Sequence, residues 1–166
     1  MKHKLRKHNT GFAIVEFLFY ISILAMLVLV LINALITMTR SFKETTIYTQ
    51  LQSGNQVFER ITRSIKQASS ITAISASDLV LVTKDLNNNN QNVQFVLSGN
   101  NINYLENGAS VGNLNSPSLV VTALSFAQVT TTKGTGVKIS MSVRSVNDTQ
   151  NRVESFYDTI VLRGDY

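Results

Sequence analysis

The chain has 166 residues, a formal net charge of +5 and no cysteine. This length suits one modest folded domain, and the lack of cysteine excludes disulfides, thiol catalysis and cysteine metal sites. Both histidines, His3 and His8, lie near the N-terminus, so the rest of the chain lacks the commonest general base and metal ligand as well. We therefore predict no catalytic residue, no metal site and no cofactor.

The positive charge is concentrated at the N-terminus. Lys2, Lys4, Arg6 and Lys7 are four of the 15 basic residues, and residues 12–166 hold the other eleven against 10 acidic residues. A nucleic-acid-binding domain needs a basic face on its folded part. The nearly neutral body therefore predicts no nucleic-acid partner.

An uncharged and strongly apolar run occupies residues 17–39, directly after Glu16. As a helix it would span roughly 35 Å, which is enough for a hydrocarbon core of about 30 Å. A secretory signal has a shorter apolar region of about 7–15 residues, and residues 40–43 make a poor cleavage site. Since the basic residues precede the run, we predict a single pass through the inner or plasma membrane, with a cytoplasmic N-terminus and an extracytoplasmic body.

Glu16 is the residue that a plain membrane anchor does not explain. A carboxylate costs on the order of 2–3 kcal/mol at the centre of a membrane helix and less near its end, so such residues usually have a partner. Gly11 lies at the junction of the basic leader and the apolar run, and cleavage after it would leave a free amine on Phe12. That amine lies about one helical turn before Glu16. The two groups could pair within one chain, or between neighbouring helices that are offset along their axes.

This N-terminus resembles the class III signal of type IV pilins and type II secretion pseudopilins. The likeness rests on the short leader of residues 1–11, on Gly11, Phe12 and Glu16, and on the apolar run that follows. In that family the prepilin peptidase cuts after the glycine and methylates the new amine, and the glutamate recruits and packs subunits. The resemblance implies that Gly11 and Phe12 flank the cleaved bond, that Phe12 is N-methylated and that Glu16 is the assembly residue. It implies as partners the peptidase, other pilin or pseudopilin subunits, the inner-membrane assembly platform and membrane lipid.

The sequence departs from the family at Asn33. Major pilins often carry a proline at this place in the helix, and its absence removes a built-in break in the backbone hydrogen bonding. Asn33 is the only amide of the apolar run. It is either a polar residue tolerated near the outer interface, which we favour, or a hydrogen-bonding partner for a neighbouring subunit.

A second apolar pattern begins after Arg40. Seven residues recur at alternating spacings of four and three, which predicts an amphipathic helix with a narrow apolar seam: Ile47, Leu51, Gly54, Phe58, Ile61, Ile65 and Ala68. One helix is thus predicted over residues 12–68, with a transmembrane half at 12–39 and an amphipathic half at 40–70. Gly54 either allows close approach of a sheet or simply softens the helix, at about 1 kcal/mol relative to Ala.

Residues 71–166 change to strand patterns and form the predicted β-rich body. The predicted strands are residues 79–83, 93–97, 101–105, 119–126, 137–143 and 152–163, with a tight hairpin at 98–100 and a loop at 145–151. The fold class is therefore α+β, with the amphipathic half of the helix packed on a mainly antiparallel sheet. The order of the body resembles J-type pseudopilins and W-type minor pilins, which implies a pilin-like fold.

Oxygen atoms are plentiful in residues 85–92, and some pseudopilins bind calcium in a loop. A calcium loop normally supplies several carboxylates at alternating positions, whereas Asp85 is the only one here. We therefore predict an exposed hairpin loop without a metal. Asp148, Asp158 and Asp165 are isolated in sequence and define no site.

These features together predict a minor pilin or pseudopilin, cleaved by prepilin peptidase and assembled through its N-terminal helix into a pilus or pseudopilus. The alternative is a single-pass membrane-anchored β-rich binding protein, such as an adhesin or a sensor. An enzyme is the third choice, because no histidine or cysteine follows the leader.

Overall fold

The computed structural model describes residues 10–131 and 134–162, with side chains described for residues 14–130 and 134–162. The chain divides into two compact units, Met1–Thr45 and Thr46–Tyr166. Helix α1, Thr10–Gln67, contributes residues to both units. The helix predicted over residues 12–68 is confirmed to within two residues at each end.

In the first unit the large apolar side chains described in α1 are exposed. Leu24, Leu29 and Leu35 are each at least 60% exposed, and every other large apolar residue from Ile14 to Met38 is at least 44% exposed. Within the described residues, Ile14–Gln67 is the one helical stretch whose length and hydropathy suffice to cross a membrane. The prediction of an N-terminal apolar helix of membrane-spanning length is therefore confirmed.

The second unit contains eight strands among the residues described. Their bounds are β1 Ser70–Ile74, β2 Asp78–Lys84, β3 Asn90–Ser98, β4 Asn101–Glu106, β5 Ala109–Asn113, β6 Leu119–Thr131, β7 Gly134–Ser145 and β8 Glu154–Val161. A five-stranded sheet has the order β1-β2-β3-β4-β5, and a three-stranded sheet has the order β6-β7-β8. Every pairing is antiparallel, and each of the six predicted strands is present, which confirms the α+β class.

The structure differs from the prediction in having two sheets and two additional strands, β1 and β5. Strand β1 contains an irregularity between Ile71 and Ala73, which disturbs the two-residue alternation that identifies a strand. Strand β5 is exposed at all five positions, so it has no apolar face to recognise. Both are edge strands of the five-stranded sheet, where one side of the strand is left unpaired.

The amphipathic half of α1 packs on the sheets of the second unit. All seven seam residues are buried. All of them except Gly54 belong to one apolar cluster with residues of both sheets, including Phe95 of β3 and Met141 of β7. Phe58 of the helix contacts Phe156 of β8, with ring centroids 5.7 Å apart. Since full burial of a large apolar side chain contributes about 1.5–3 kcal/mol, the seam is the main attachment of the helix to the body.

Gly54 lies where the helix comes closest to the three-stranded sheet. A Cβ atom at this position would be 2.9 Å from Cγ2 of Val143 and 3.3 Å from Cε2 of Phe156. Those distances are too short for a side chain unless its neighbours move. Of the two roles proposed for Gly54, close approach is confirmed.

A buried asparagine joins the two sheets. Asn115 lies between β5 and β6, and its Oδ1 accepts a hydrogen bond from the backbone N–H of Ile102 in β4 at 2.9 Å. Its Nδ2 donates to the carbonyl of Leu119 in β6 at 2.7 Å and to Oδ1 of Asn101 at 2.9 Å. One amide thereby holds the place where the chain passes from one sheet to the other.

Candidate assembly site

The residues predicted for processing lie at the start of α1. Gly11 and Phe12 are helical, but the Phe12 side chain lies outside the part of the chain whose side chains are described. Cleavage between them and methylation of Phe12 therefore stay predictions. Glu16 is described, and its side chain lies on the exposed surface of the apolar part of the helix.

Glu16 has a hydrogen-bonding partner in its own helix. The Tyr20 hydroxyl donates to Oε1 of Glu16 at 3.1 Å. Residues four apart lie on the same face of a helix, so the backbone itself brings these two side chains together. Within the part of the chain that is described, the Glu16 side chain makes no other hydrogen bond. Sequence reasoning missed Tyr20, although the spacing of four from Glu16 was the signal.

The other hydroxyl groups of the apolar run bond to their own backbone. Ser22 donates to the carbonyl of Phe19 at 2.8 Å, Thr37 donates to that of Asn33 at 2.9 Å, and Thr39 is similarly engaged. Such bonds satisfy a hydroxyl without any outside partner. Tyr20 is therefore the one hydroxyl among residues 17–39 that is directed at another side chain.

The side-chain amide of Asn33 differs from these hydroxyls. It is exposed and makes no hydrogen bond with a described residue, while the backbone carbonyl of Asn33 accepts the Thr37 hydroxyl. An exposed helix surface suits both of the roles predicted for Asn33. Its part in contacts between subunits stays a prediction.

The Asn-rich segment is an exposed loop between β2 and β3. Asp85 accepts the backbone N–H groups of Asn87 and Asn89 on Oδ1, at 2.8 and 2.7 Å, and the Asn89 amide on Oδ2 at 3.3 Å. The N–H of Asn89 is the main cause that holds the pKa of Asp85 below its usual value. The carboxylate is thus used to close its own turn, in which Asn88 adopts a positive φ of 63°.

Asp148 is not isolated in the folded protein. Its carboxylate pairs with Arg152, with Nε 3.0 Å from Oδ2, and also accepts the backbone N–H groups of Gln150 and Arg152. The Arg152 hydrogen bond is the main cause that lowers the pKa of Asp148 to about 2. The guanidinium also lies 5.8 Å from the centre of the Tyr48 ring on α1. The signal for this pair was the spacing of four between Asp148 and Arg152.

Two further contacts attach α1 to the sheets. The buried Ser145 hydroxyl, at the end of β7, donates to Oε1 of Gln50. On the five-stranded sheet the Arg60 guanidinium lies 4.9 Å from the centre of the Tyr104 ring. Burial, together with the hydrogen bond that the Tyr104 hydroxyl donates to Glu106, raises the pKa of Tyr104 to about 12. These polar groups serve the packing of the helix.

The described part of the body contains no grouping of side chains that is typical of a metal site. Among the described residues, no three His, Cys, Asp or Glu side chains lie close enough together to hold an ion. Asp158 accepts the backbone N–H of Thr159 at 2.7 Å, and Asp165 lies outside the described residues. A surface depression of about 820 Å³ is open and borders the Asn-rich loop at Lys84 and Leu86.

Comparisons with known proteins do not add to this picture. No protein-family model, no curated protein and no solved structure matches the chain. The candidate site is thus defined by residues of this chain alone, with Glu16 and Tyr20 at its centre.

Proposed function

We propose that this protein is a minor pilin or pseudopilin, a subunit of a type IV pilus or a type II secretion filament. It is made with a leader of residues 1–11, inserted in the inner or plasma membrane and cleaved after Gly11 by prepilin peptidase. It then joins other subunits through its N-terminal helix. The observation that carries the proposal is Glu16, a charged residue near the start of an otherwise apolar exposed helix and five positions after Gly11.

The contrast between the two units supports this proposal. In the first unit the apolar side chains are exposed, so they need lipid or other helices around them. In the second unit the seam of the same helix is buried within the chain. A subunit that folds its own body and offers an apolar helix to a membrane filament has this division.

The proposal assigns mechanical and assembly roles, and no chemical reaction, to the protein. Its basis is the sequence after the leader, which contains no histidine and no cysteine. The serine that precedes Gly54 is engaged locally, since Ser53 Oγ donates to the carbonyl of Gln50 at 2.6 Å. The proposed partners are the peptidase, neighbouring subunits, the assembly platform and lipid.

Mass spectrometry of the membrane-extracted protein tests the processing step. We expect a chain that begins at Phe12 and carries one added methyl group on its amine. The variant Gly11→Leu should accumulate as an uncut precursor in the membrane, whereas the matched leader variant Asn9→Ala should be cut normally. A mature chain that begins at Met1, in cells with active prepilin peptidase, would contradict the proposal.

Processing and co-purification together separate the proposal from its alternative, a membrane-anchored adhesin or sensor. A plain anchor would keep its leader and would not need Glu16. Co-purification of other pilins with the mature chain, and its loss in Glu16→Ala, are expected only of a filament subunit. An unprocessed chain that binds its ligand as a lone membrane protein would favour the alternative.

A further inference from the structure

We propose that Tyr20 is a positioning residue for Glu16, holding one oxygen of the carboxylate so that the other is presented to a positively charged partner. The inference rests on the proposed function, and it adds a residue that the class III signal does not include. It is carried by the contact between the Tyr20 hydroxyl and Oε1 of Glu16, at 3.1 Å.

The geometry of an α-helix favours this contact. Long side chains in a helix lean toward its N-terminus and cover the turn before their own Cα atom. Tyr20 therefore reaches back over the turn that carries Glu16. By the same rule Glu16 leans back toward residue 12, where the new amine would be formed. The hydroxyl thus holds the carboxylate from its C-terminal side and leaves the N-terminal side open.

The proposed membrane environment makes the hydrogen bond between Tyr20 and Glu16 stabilising. A carboxylate and a phenolic hydroxyl are each costly at membrane depth when they lack a hydrogen-bonding partner. Joining them satisfies the hydroxyl and one carboxylate oxygen without help from another chain. Oε2 makes no hydrogen bond within the described part of the chain, so it is the oxygen that remains for a partner.

The positively charged partner that we propose for Oε2 of Glu16 is the ammonium group at the N-terminus of a neighbouring processed subunit. Hydrogen bonds between charged groups are short and directional, so a carboxylate that is already oriented loses less freedom when the bond forms. Tyr20 should therefore strengthen incorporation without being essential for it. Because a hydrogen bond to a charged group is among the stronger ones, we expect its loss to lower incorporation about ten-fold.

Another role for Tyr20 must be separated from this one. Tyrosines are common at the membrane interface, where the ring is buried and the hydroxyl faces water. An interface anchor depends on the presence of a tyrosine near this depth, whereas positioning of Glu16 depends on the face of the helix that carries it. Phe17 offers a control, because residues one apart on a helix do not face each other.

The first experiment measures co-purification with other pilin subunits from membranes in three chains. These are the unmodified protein, Tyr20→Phe, and the double variant Phe17→Tyr with Tyr20→Phe, which keeps the composition and moves the hydroxyl. All three should be inserted and cut equally. We expect incorporation to fall about ten-fold in Tyr20→Phe and to stay low in the double variant. Normal incorporation of Tyr20→Phe, or full rescue by the double variant, would overturn the inference.

The second experiment tests the contact itself, without a filament. The full chain is labelled with ¹³C at the tyrosine Cζ atoms and studied by NMR in detergent micelles. Replacement of the carboxylate in Glu16→Ala should shift the Tyr20 resonance, while those of Tyr48, Tyr104 and Tyr157 stay in place. An unchanged Tyr20 resonance would show that the hydroxyl does not bond to Glu16, and would overturn the inference.

These two experiments, together with the incorporation of Glu16→Ala measured in the same way, separate this inference from the proposed function. If Glu16→Ala abolishes incorporation and Tyr20→Phe leaves it unchanged, the filament function stands and the role of Tyr20 is wrong. If neither variant changes incorporation, both the assembly role of Glu16 and the positioning role of Tyr20 are wrong. A shifted resonance together with reduced incorporation supports both.

Discussion

The two halves of helix α1 have different relations to the rest of the chain. From Ile14 to Met38 the large apolar side chains are exposed, and the hydroxyl groups donate hydrogen bonds within the helix itself. From Ile47 to Ala68 the apolar side chains of the seam are buried against two sheets. The same secondary structure is therefore stabilised by tertiary packing in one half, and requires surroundings from outside the chain in the other.

This difference indicates which property of the protein a substitution in each half of the helix should change. Changes on the seam should lower the stability of the body, and changes on the apolar half should alter insertion or assembly. The free energy of unfolding of the body and the incorporation of the subunit are then separate measurements, and each reports on one half of the helix.

The largest effect on stability is expected for Phe58→Ala. Phe58 is buried in the seam and contacts Phe156, so its truncation leaves a cavity and should cost about 3–5 kcal/mol of unfolding free energy. The matched variant Phe19→Ala, on the exposed half, should leave the unfolding of the body unchanged. Chemical denaturation of the full chain in detergent, followed by near-ultraviolet circular dichroism, measures both. Equal stability of the two variants would mean that the seam faces something other than the sheets.

A smaller loss is expected for Gly54→Ala. Alanine normally favours a helix over glycine by about 1 kcal/mol, but its Cβ would be 2.9 Å from a stiff Val143 side chain. Overpacking of this kind costs about 1–3 kcal/mol, so the net change should be destabilising. Combining it with Val143→Ala should give a smaller loss than the sum of the two single variants, in the same denaturation experiment. Stabilisation by Gly54→Ala alone would show that the close approach is not required.

The pairing of Asp148 with Arg152 should make the stability of the body depend on acid pH. The Arg152 hydrogen bond lowers the pKa of Asp148 to about 2, against an ordinary value of about 3.9 in the unfolded chain. The contribution is therefore complete above about pH 4 and is lost as the pH falls toward 2. The difference in stability between the unmodified protein and Asp148→Asn should shrink over that range. A difference that does not change with pH would contradict this account.

The smallest effect is expected for Arg60→Ala. The Arg60 guanidinium lies over the Tyr104 ring, an arrangement that contributes about 0.5–1 kcal/mol at an exposed position. Arg63 is exposed on the same helix and makes no hydrogen bond or ion pair with a described residue, so Arg63→Ala is the matched control. The change in unfolding free energy of Arg63→Ala should stay within about 0.5 kcal/mol. Identical results for the two arginines would remove Tyr104 as a partner of the helix.

Much of the fold could be predicted because the spacing of apolar residues along the chain identifies its helix and most of its strands. The seam residues follow the helical repeat, and Val137 to Val143 alternate as a half-buried strand does. The division into two sheets could not be predicted, because strand periodicity does not say which strands pair. The hydrogen bonds of Asn115 at the crossover were hidden for a similar reason, since its partners lie in separate segments. Strand β5 was missed because it has no buried face.

The candidate site was predictable to a lesser degree. Glu16 stands out because its charge interrupts an apolar run, and that contrast is visible in the letters alone. Tyr20 looks like one more aromatic residue of the run until the distance between its hydroxyl and Oε1 of Glu16 is known. The pairing of Asp148 with Arg152 was missed for a related reason, since a spacing of four in a loop does not guarantee contact.

The connectivity of the strands has a consequence for the speed of folding. In both sheets each described strand pairs only with its neighbours in sequence, so every hairpin closes a short loop. Hairpins of this kind form in about 1–10 μs, since little chain entropy is lost when nearby segments meet. The docking of α1 is different, because Gln50 reaches Ser145 across 95 positions of chain. We therefore expect the hairpins to form early and the docking of α1 on the sheets to limit the folding rate.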